Sequence, residues 1–531
     1  MKPYQAEPSS VREQHTTPSD ELRIGVTFKR PQDGLGPTKL DARISARSVS
    51  SMRPDPLDVD RALYELHRRG FVTTVRGRLT ASVRATRRQF EELFGTRLVE
   101  YEVERGQAAQ FQAFYYPPDT APWNPDPAVA ALIDDAYIQW PHLYMAGARE
   151  QVAAPARTGS RGRGGGRPGT SVARRATAAP APQVRGPSAV PPGVPYHHLE
   201  VPHAIAQALN ALPVHQAGTT GKGVRVVMVD TGFAHAHPYF AANGYHSTVA
   251  LAPHATNRGT DPNGHGSGES ANVFAVAPNA TFVGVKVEND DDPRRGASLL
   301  EGFQEALRHD PQVISVSMGY DLRGPDGAHQ LTQLPRGLAA LEAEIQAAVA
   351  AGVVVVFSAG NGHYSFPGQM KEVISAGGVY VDAGGQTQAS DYASAFTSAI
   401  YSGRAVPDFC GLVGMLPHAD YISLPIPPGC EIDRDNARHD ATRPDDGWGV
   451  FSGTSAAAPQ LAGVCALLLE KDPHLTPADV KAILKRTARD VASGHANPAS
   501  DPDGRGVAAA PGYDGATGAG LVDAFAAWRQ V

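Results

Sequence analysis

VRVVMVDTG, residues 224–232, is the stretch from which the fold is read. Valine and methionine dominate it, it ends on the acid Asp230, and a Thr-Gly pair turns the chain at once. A short, β-branched apolar run suits a strand buried on both faces, as in a parallel sheet. Similar runs stand at 313–318 and 353–357, and segments with helical apolar spacing, 299–307 and 338–349, accompany them. This alternation predicts an α/β unit: a doubly wound parallel sheet with helices on both faces. Ligands bind such sheets beyond the carboxyl ends of the strands. Asp230 and Gly319 stand at such ends, so chemistry is expected there.

Two further motifs lie downstream, NGHGSGES at 263–270 and FSGTSAAAP at 451–459. Taken singly, each has a plain reading. An Asp-Thr-Gly is common turn chemistry, and Ser455 could simply cap the apolar helix that follows it. Together they supply what acyl transfer by a serine needs. Ser455 is the nucleophile, His265 the base that takes its proton at neutral pH, and Asp230 the acid that orients the imidazole. SAGNG, residues 358–362, follows the run at 353–357 and adds Asn361, whose amide can donate to an oxyanion.

The Asp-His-Ser order resembles that of the subtilisin-like serine peptidases. The likeness covers roughly 200–531 and implies a subtilisin-like fold acting on protein or peptide substrates. SVSMG (315–319) and SAGN (358–361) are similar to that family's substrate-lining segments. The resemblance thus assigns Ser317, Met318, Gly319, Ser358, Ala359 and Gly360 to substrate binding. Two departures resemble the neighbouring sedolisins, or kumamolisin-like acid peptidases. His265 is followed by a short helix on which Glu269 shares its face, a candidate neighbour in the site. The tail RDV…AAAPGYDGATGAG (489–520) is similar to the sedolisin calcium site. Carried over, its Ca2+ ligands are Asp490, Asp514 and the carbonyls of Val491, Ala510 and Gly512, with Ala510 standing where that family has Gly. LTASVRATRRQFEELFGTRLVEYE (79–102) is similar to sedolisin pro-domains.

The upstream half fits that comparison. Strand 22–28, helix 58–69, a hairpin of 71–76 and 79–84 about Gly77, helix 86–94 closed by Gly95, and strand 98–103 give β-α-β-β-α-β, a ferredoxin-like α+β pattern. Residues 151–199 are rich in Gly, Ala, Pro and Arg, hold no acid, and read as a flexible linker. The expected order is a pro-domain over 1–150, that linker, and a peptidase domain over 200–531. The pro-domain is expected to act as an intramolecular inhibitor and to be lost by cleavage in the linker.

Composition narrows the rest. With 531 residues the chain exceeds one ordinary core. A net charge of −6, from 48 Lys+Arg against 54 Asp+Glu, gives no reason to expect a nucleic acid or membrane partner. The Arg-rich linker lacks aromatics for base stacking before 194. No apolar run reaches the ~18–20 residues of a membrane span, and the polar start shows no secretory core. A soluble monomer is expected, cytoplasmic or exported without such a signal. Of three cysteines, Cys410 and Cys430 are near enough in sequence to pair, and Cys465 reads as a buried thiol. The competing readings are a sedolisin-like acid peptidase using Glu269, and a non-catalytic scaffold on the same fold.

Overall fold

The computed structural model describes residues 19–30, 36, 49–105, 110–118, 120–144, 186–324 and 326–531. Arg225–Asp230 is a central strand of an eight-stranded sheet. In spatial order the first six strands are Ser247–Leu251, Thr281–Lys286, Arg225–Asp230, Val313–Val316, Val354–Ser358 and Ile374–Val381, all mutually parallel. Thr387–Ala389 pairs antiparallel, and Phe409–Leu412 parallel, with the last of these. The first strand in sequence thus sits between the third and the fourth. That reversal opens a crevice beyond Asp230 and Val316.

Alternation along the strands feeds two cores. Val226, Met228, Val354 and Val356 pack with His265–Val276 and the 18-residue helix Thr454–Lys471 on one face. Val227, Val229, Val355 and Phe357 pack with helices Leu299–Leu307 and Ala339–Ala350 on the other. Each large apolar side chain buried this way contributes about 1.5–3 kcal/mol. On the first face the two helices meet closely at Gly463, where an added Cβ would lie 2.7 Å from Val276 Cβ.

The upstream unit is a four-stranded antiparallel sheet in the order Val72–Arg76, Thr80–Thr86, Glu21–Phe28, Ile133–Ile138. Helix Pro56–His67 is capped by Asp55, and Arg87–Phe94 by a Thr86/Gln89 capping box, with Gly95 ending the latter in the left-handed region. One expectation is corrected. The segment 98–103 forms a strand, Val99–Arg105, but among the described residues it pairs with Gln110–Tyr116 as a separate hairpin and not with this sheet. The edge of the sheet is taken by Ile133–Ile138, buried along its whole length. The edge position goes to a segment buried at all six residues, whereas Val99 stays 38% exposed in its hairpin.

This sheet lies on the helices Leu299–Leu307 and Ala339–Ala350. Gly25 permits the approach, since a Cβ there would come 2.7 Å from Leu300 Cδ2. The contact is polar as well as apolar. The buried Glu344 carboxylate accepts from the backbone N–H groups of Arg78 (2.5 Å), Leu79 (3.1 Å) and Thr80 (3.2 Å). Buried Glu301 pairs with Arg84 at 3.0 Å and accepts from Thr74 Oγ1 at 2.7 Å.

Most of the expected linker, 151–185, lies outside the described residues. Its last part, 186–199, runs along the large unit: Trp448 Nε1 donates to Ser188 O (3.0 Å) and Tyr196 Oη to Asp440 O (2.8 Å). All three cysteines are buried free thiols, so Cys410 and Cys430 do not pair. Among the described residues no helix is long and apolar enough to cross a membrane.

Candidate active site

Asp230 ends its strand fully buried, and its Oδ1 accepts from His265 Nδ1 at 2.7 Å and from Thr231 N at 2.8 Å. His265 is the first residue of its helix, after Gly264 at φ +97°. That helix start has no side-chain cap from Gly264 itself. Asp261 supplies one from outside: it accepts from Gly264 N (3.0 Å), Ser267 N (2.9 Å) and Thr231 Oγ1 (2.9 Å). A carboxylate satisfies exposed amides there and complements the helix dipole. It ties the Asp230 turn to the His265 helix.

Ser455 stands in the first turn of Thr454–Lys471, 5% exposed. Pro459 lies four residues on and has no N–H, so the Ser455 carbonyl loses its helical partner. Ser317 Oγ takes that place, donating to Ser455 O at 2.9 Å, while Ser455 Oγ donates to Ser317 O at 3.4 Å. Ser317 directly follows the strand Val313–Val316, whose Val316 pairs with Val229 beside Asp230. Ser455 is thereby tied to the end of the strand that pairs with the Asp230 strand.

Asn361 is 2% exposed, and its Oδ1 accepts from Thr454 N (2.9 Å) and Thr454 Oγ1 (3.0 Å). A backbone N–H can only donate, so the oxygen of the amide must face Thr454. Nδ2 is turned the other way, toward Gly453, where a Cβ would meet it at 2.8 Å. Gly360 N donates to Thr454 Oγ1 at 3.1 Å, so the Ser358–Gly360 segment and the Ser455 turn are held as one. Met318 is 1% exposed and packed in the apolar core, and Gly319 continues its short strand Met318–Asp321.

The electrostatics are uneven. Burial works to lower the His265 pKa, but the charge and hydrogen bond of Asp230 outweigh it and lift it to about 9. Glu269, fully inside the helix core, is pushed up by burial to about 8, against the opposing pull of His265. It accepts from Asn272 Nδ2 at 2.9 Å, and Asn272 in turn accepts from Gln460 at 3.1 Å.

The residues expected to hold calcium form a separate cluster. Gly512 N donates to Asp490 Oδ2 and Ala510 N to Asp514 Oδ2, both at 3.0 Å. Two carboxylates therefore converge on one loop, with Gly512 at φ +85° and Val491 buried alongside. Hard oxygens on a tight loop fit the chemistry of Ca2+. Among the described residues no group of three or more His, Cys, Asp or Glu is disposed to hold a metal, so such a site would depend on backbone carbonyls.

Three participants escaped the sequence reading. Asp261 carries no spacing signal. Tyr144 and Glu288 are far apart in the chain: the strand Leu143–Tyr144 pairs antiparallel with Met318–Asp321, and Tyr144 Oη donates to Glu288 Oε1 at 2.5 Å. The Tyr144 and His265 rings lie 6.1 Å apart.

With this geometry in hand, the family comparison is direct: the Subtilase family model matches residues 221–509, more than half of the chain. The chain belongs to the subtilase family. Subtilisin E of Bacillus subtilis (strain 168) is 28% identical over 306 residues, covering 54% of this chain and 66% of that protein. Serine protease AprX of the same strain is 30% identical over 292 residues, covering 50% and 61%. Subtilisin of Bacillus pumilus is 28% identical over 299 residues, covering 54% and 91%. The chain thus spans just under two thirds of the length of subtilisin E. Among solved structures, fervidolysin from Fervidobacterium pennivorans, a keratinolytic enzyme related to subtilisin, aligns with a TM-score of 0.50 at 16% identity. The alignment covers 98% of this chain and 62% of that one. At that identity it speaks for a subtilisin-like α/β fold alone.

Proposed function

We propose that this subtilase is a serine endopeptidase made as a proenzyme. The observation that carries the reading is the buried 2.7 Å bond between His265 and Asp230, together with a serine set at a helix start and tied to the neighbouring strand end. In this mechanism His265 Nε2 accepts the Ser455 Oγ proton as Oγ turns from Ser317 O to attack a peptide carbonyl. The tetrahedral oxyanion takes hydrogen bonds from Asn361 Nδ2 and the Ser455 backbone N–H. Asp230 stabilises the imidazolium, which then gives its proton to the leaving amine. Water, activated by the same imidazole, releases the acyl group from Ser455.

Glu269 serves this mechanism as a neutral neighbour. Its hydrogen bond runs into the helix core through Asn272, and burial favours its protonated form. An acid peptidase based on Glu269 would need that carboxylate ionised in the site.

The upstream unit is read as an inhibitory, ferredoxin-like pro-domain. Its antiparallel sheet order and its two helices support that architecture. The support for inhibition is that Leu143–Tyr144 lies along Met318–Gly319, where a substrate backbone would lie. A tether keeps such an inhibitor at an effective concentration on the order of millimolar. Its loss would follow cleavage in 151–199. The structural cation, if held, is Ca2+ at Asp490 and Asp514 with the carbonyls of Val491, Ala510 and Gly512.

A fluorophosphonate probe tests the core claim. Wild-type protein should be labelled and should yield a fragment near the mass of 190–531, whereas Ser455→Ala should stay unlabelled and full length. Equal labelling of both would sink the assignment.

A further inference from the structure

The segment lying in the crevice also says what the crevice prefers. Tyr144 stands opposite Met318 and Leu143 opposite Gly319, antiparallel, so this stretch runs toward Ser317. Ser317 O is the oxygen that Ser455 Oγ touches, at 3.4 Å. A peptide laid in the same register offers its Ser317-facing residue to the nucleophile. Tyr144 therefore marks the place of the residue just upstream of the one whose carbonyl is attacked.

At that place the side chain meets two different walls. The His265 ring, tilted 38° at 6.1 Å, takes the aromatic face. The hydroxyl donates to Glu288 Oε1 at 2.5 Å, and His142 Nε2 lies 3.4 Å from the Tyr144 hydroxyl oxygen. Glu288 is firmly held: its N–H donates to Thr231 O and its carbonyl accepts from Thr256 N, each at 3.3 Å. It follows the strand Thr281–Lys286, which pairs with the Asp230 strand, and so lies at the same end of the sheet as the triad. Of the neighbouring acids, Asp290 is engaged by Lys286 at 2.5 Å, Asp292 by Arg294 at 2.8 Å, and Asp291 is exposed. Glu288 is the acid of this loop that reaches the occupant of the crevice.

We infer that Glu288 is a specificity-determining residue. It selects polypeptide substrates that carry a side-chain hydrogen-bond donor, tyrosine first, immediately upstream of the residue whose bond is cut. The inference rests on the peptidase reading above. Its chemistry is that of a donor bonded to a carboxylate, stronger than a neutral pair and lost entirely when phenylalanine replaces tyrosine. A site built to bond a hydroxyl discriminates strongly against the analogue without one. Because Glu288 is only partly buried, the discrimination here should be about tenfold to fiftyfold.

The test uses quenched-fluorescent peptides identical except for Tyr, Phe, Lys or Leu at that position, with processed wild-type enzyme, Glu288→Gln and Glu288→Leu. The expected kcat/KM ratio of Tyr to Phe is at least about tenfold in wild type and within about threefold of unity in Glu288→Leu. A Lys peptide that also outruns Leu in wild type, and not in Glu288→Leu, extends the preference to cations and supports the same carboxylate. A Tyr to Phe ratio near one in wild type, or one that survives both substitutions, overturns the inference. Fluorophosphonate labelling at Ser455, run in parallel, keeps the two claims apart. Labelling with a flat ratio removes only the role of Glu288, while no labelling and no hydrolysis removes the peptidase reading and this one with it. A second measurement needs no peptide. In the intact chain Tyr144→Phe and Glu288→Gln should each speed labelling, and the double variant should be no faster than the quicker single one. Multiplying effects would overturn the pairing.

Discussion

The two faces of the parallel sheet are covered in opposite ways. On one face, His265–Val276 and Thr454–Lys471 meet through small and apolar residues, closest at Gly463 and Val276. On the other, Leu299–Leu307 and Ala339–Ala350 receive the upstream sheet through carboxylates, with Glu344 capping three successive backbone N–H groups and Glu301 paired with Arg84. Close packing of helix on helix forms only as the unit folds and has no hydrated alternative. Backbone amides that end on a side-chain carboxylate can end on water instead. The helix–helix contact on the first face is built as a core, and the outer surface of the second helical layer as a contact able to part, as the proposed inhibitor would require.

The sharpest way to break this contrast is at the first face. His265→Ala and Ser455→Ala should each lower turnover by more than about 10⁴-fold, because the triad works as a unit. Peptide hydrolysis by processed enzyme measures it, and near-wild-type turnover in either would separate the motif from the activity. At the same face, Gly463→Val should cost about 1–3 kcal/mol or more by overpacking against Val276. A lowered melting temperature together with lost labelling is expected, since both helices begin at the site.

At the second face the effect should be binding rather than folding. Glu344→Ala leaves the amides of Arg78, Leu79 and Thr80 without their acceptor, and should weaken attachment of the upstream sheet by about tenfold to a hundredfold. Labelling of Ser455 in the intact chain should accelerate while the melting temperature of the processed enzyme barely moves. A large loss of stability in the processed enzyme instead would show that Glu344 supports the peptidase unit itself and not its contact with the upstream sheet.

Smaller effects concern protons. The base must be neutral to act, and Asp230 raises the His265 pKa despite burial, so activity should climb with pH through a limb above 6.5. That is higher than the near-neutral limb the sequence suggests. Glu269 has a folded pKa raised above its unfolded value. Wild type therefore keeps full stability below about 4.5 and loses some as pH rises toward 8, where the unfolded chain is ionised and the folded one is not. Glu269→Gln should match wild type at pH 4 and melt higher at pH 8. A gain that is the same at both pH values would contradict the buried neutral acid. Smallest is calcium. Chelation should lower the melting temperature of wild type and not of Asp514→Ala, and equal shifts in both would remove Asp514 from the site.

The sheet and the candidate triad were legible because their signals are local. Asp230 closes an apolar run, and Ser455 opens a helix on an unusual run of small residues. The upstream unit was legible only as far as its neighbours in sequence. Strand 98–103 has the right residues, yet the edge of the sheet goes to Ile133–Ile138, and nothing between adjacent residues says which distant segment buries better. Tyr144 and Glu288 are 144 positions apart, and their meeting is set by the pairing of a two-residue strand, a choice made by the whole fold. Cys410 and Cys430 show the same limit: their spacing allowed a bridge, and the fold buries them as separate thiols.

Pro459 has a consequence beyond its own turn. By leaving the Ser455 carbonyl to the hydroxyl of Ser317, it couples the helix bearing Ser455 to the residue just before the strand Met318–Asp321. The two share one mounting point. A displacement of either segment therefore pulls on the other through that one hydrogen bond.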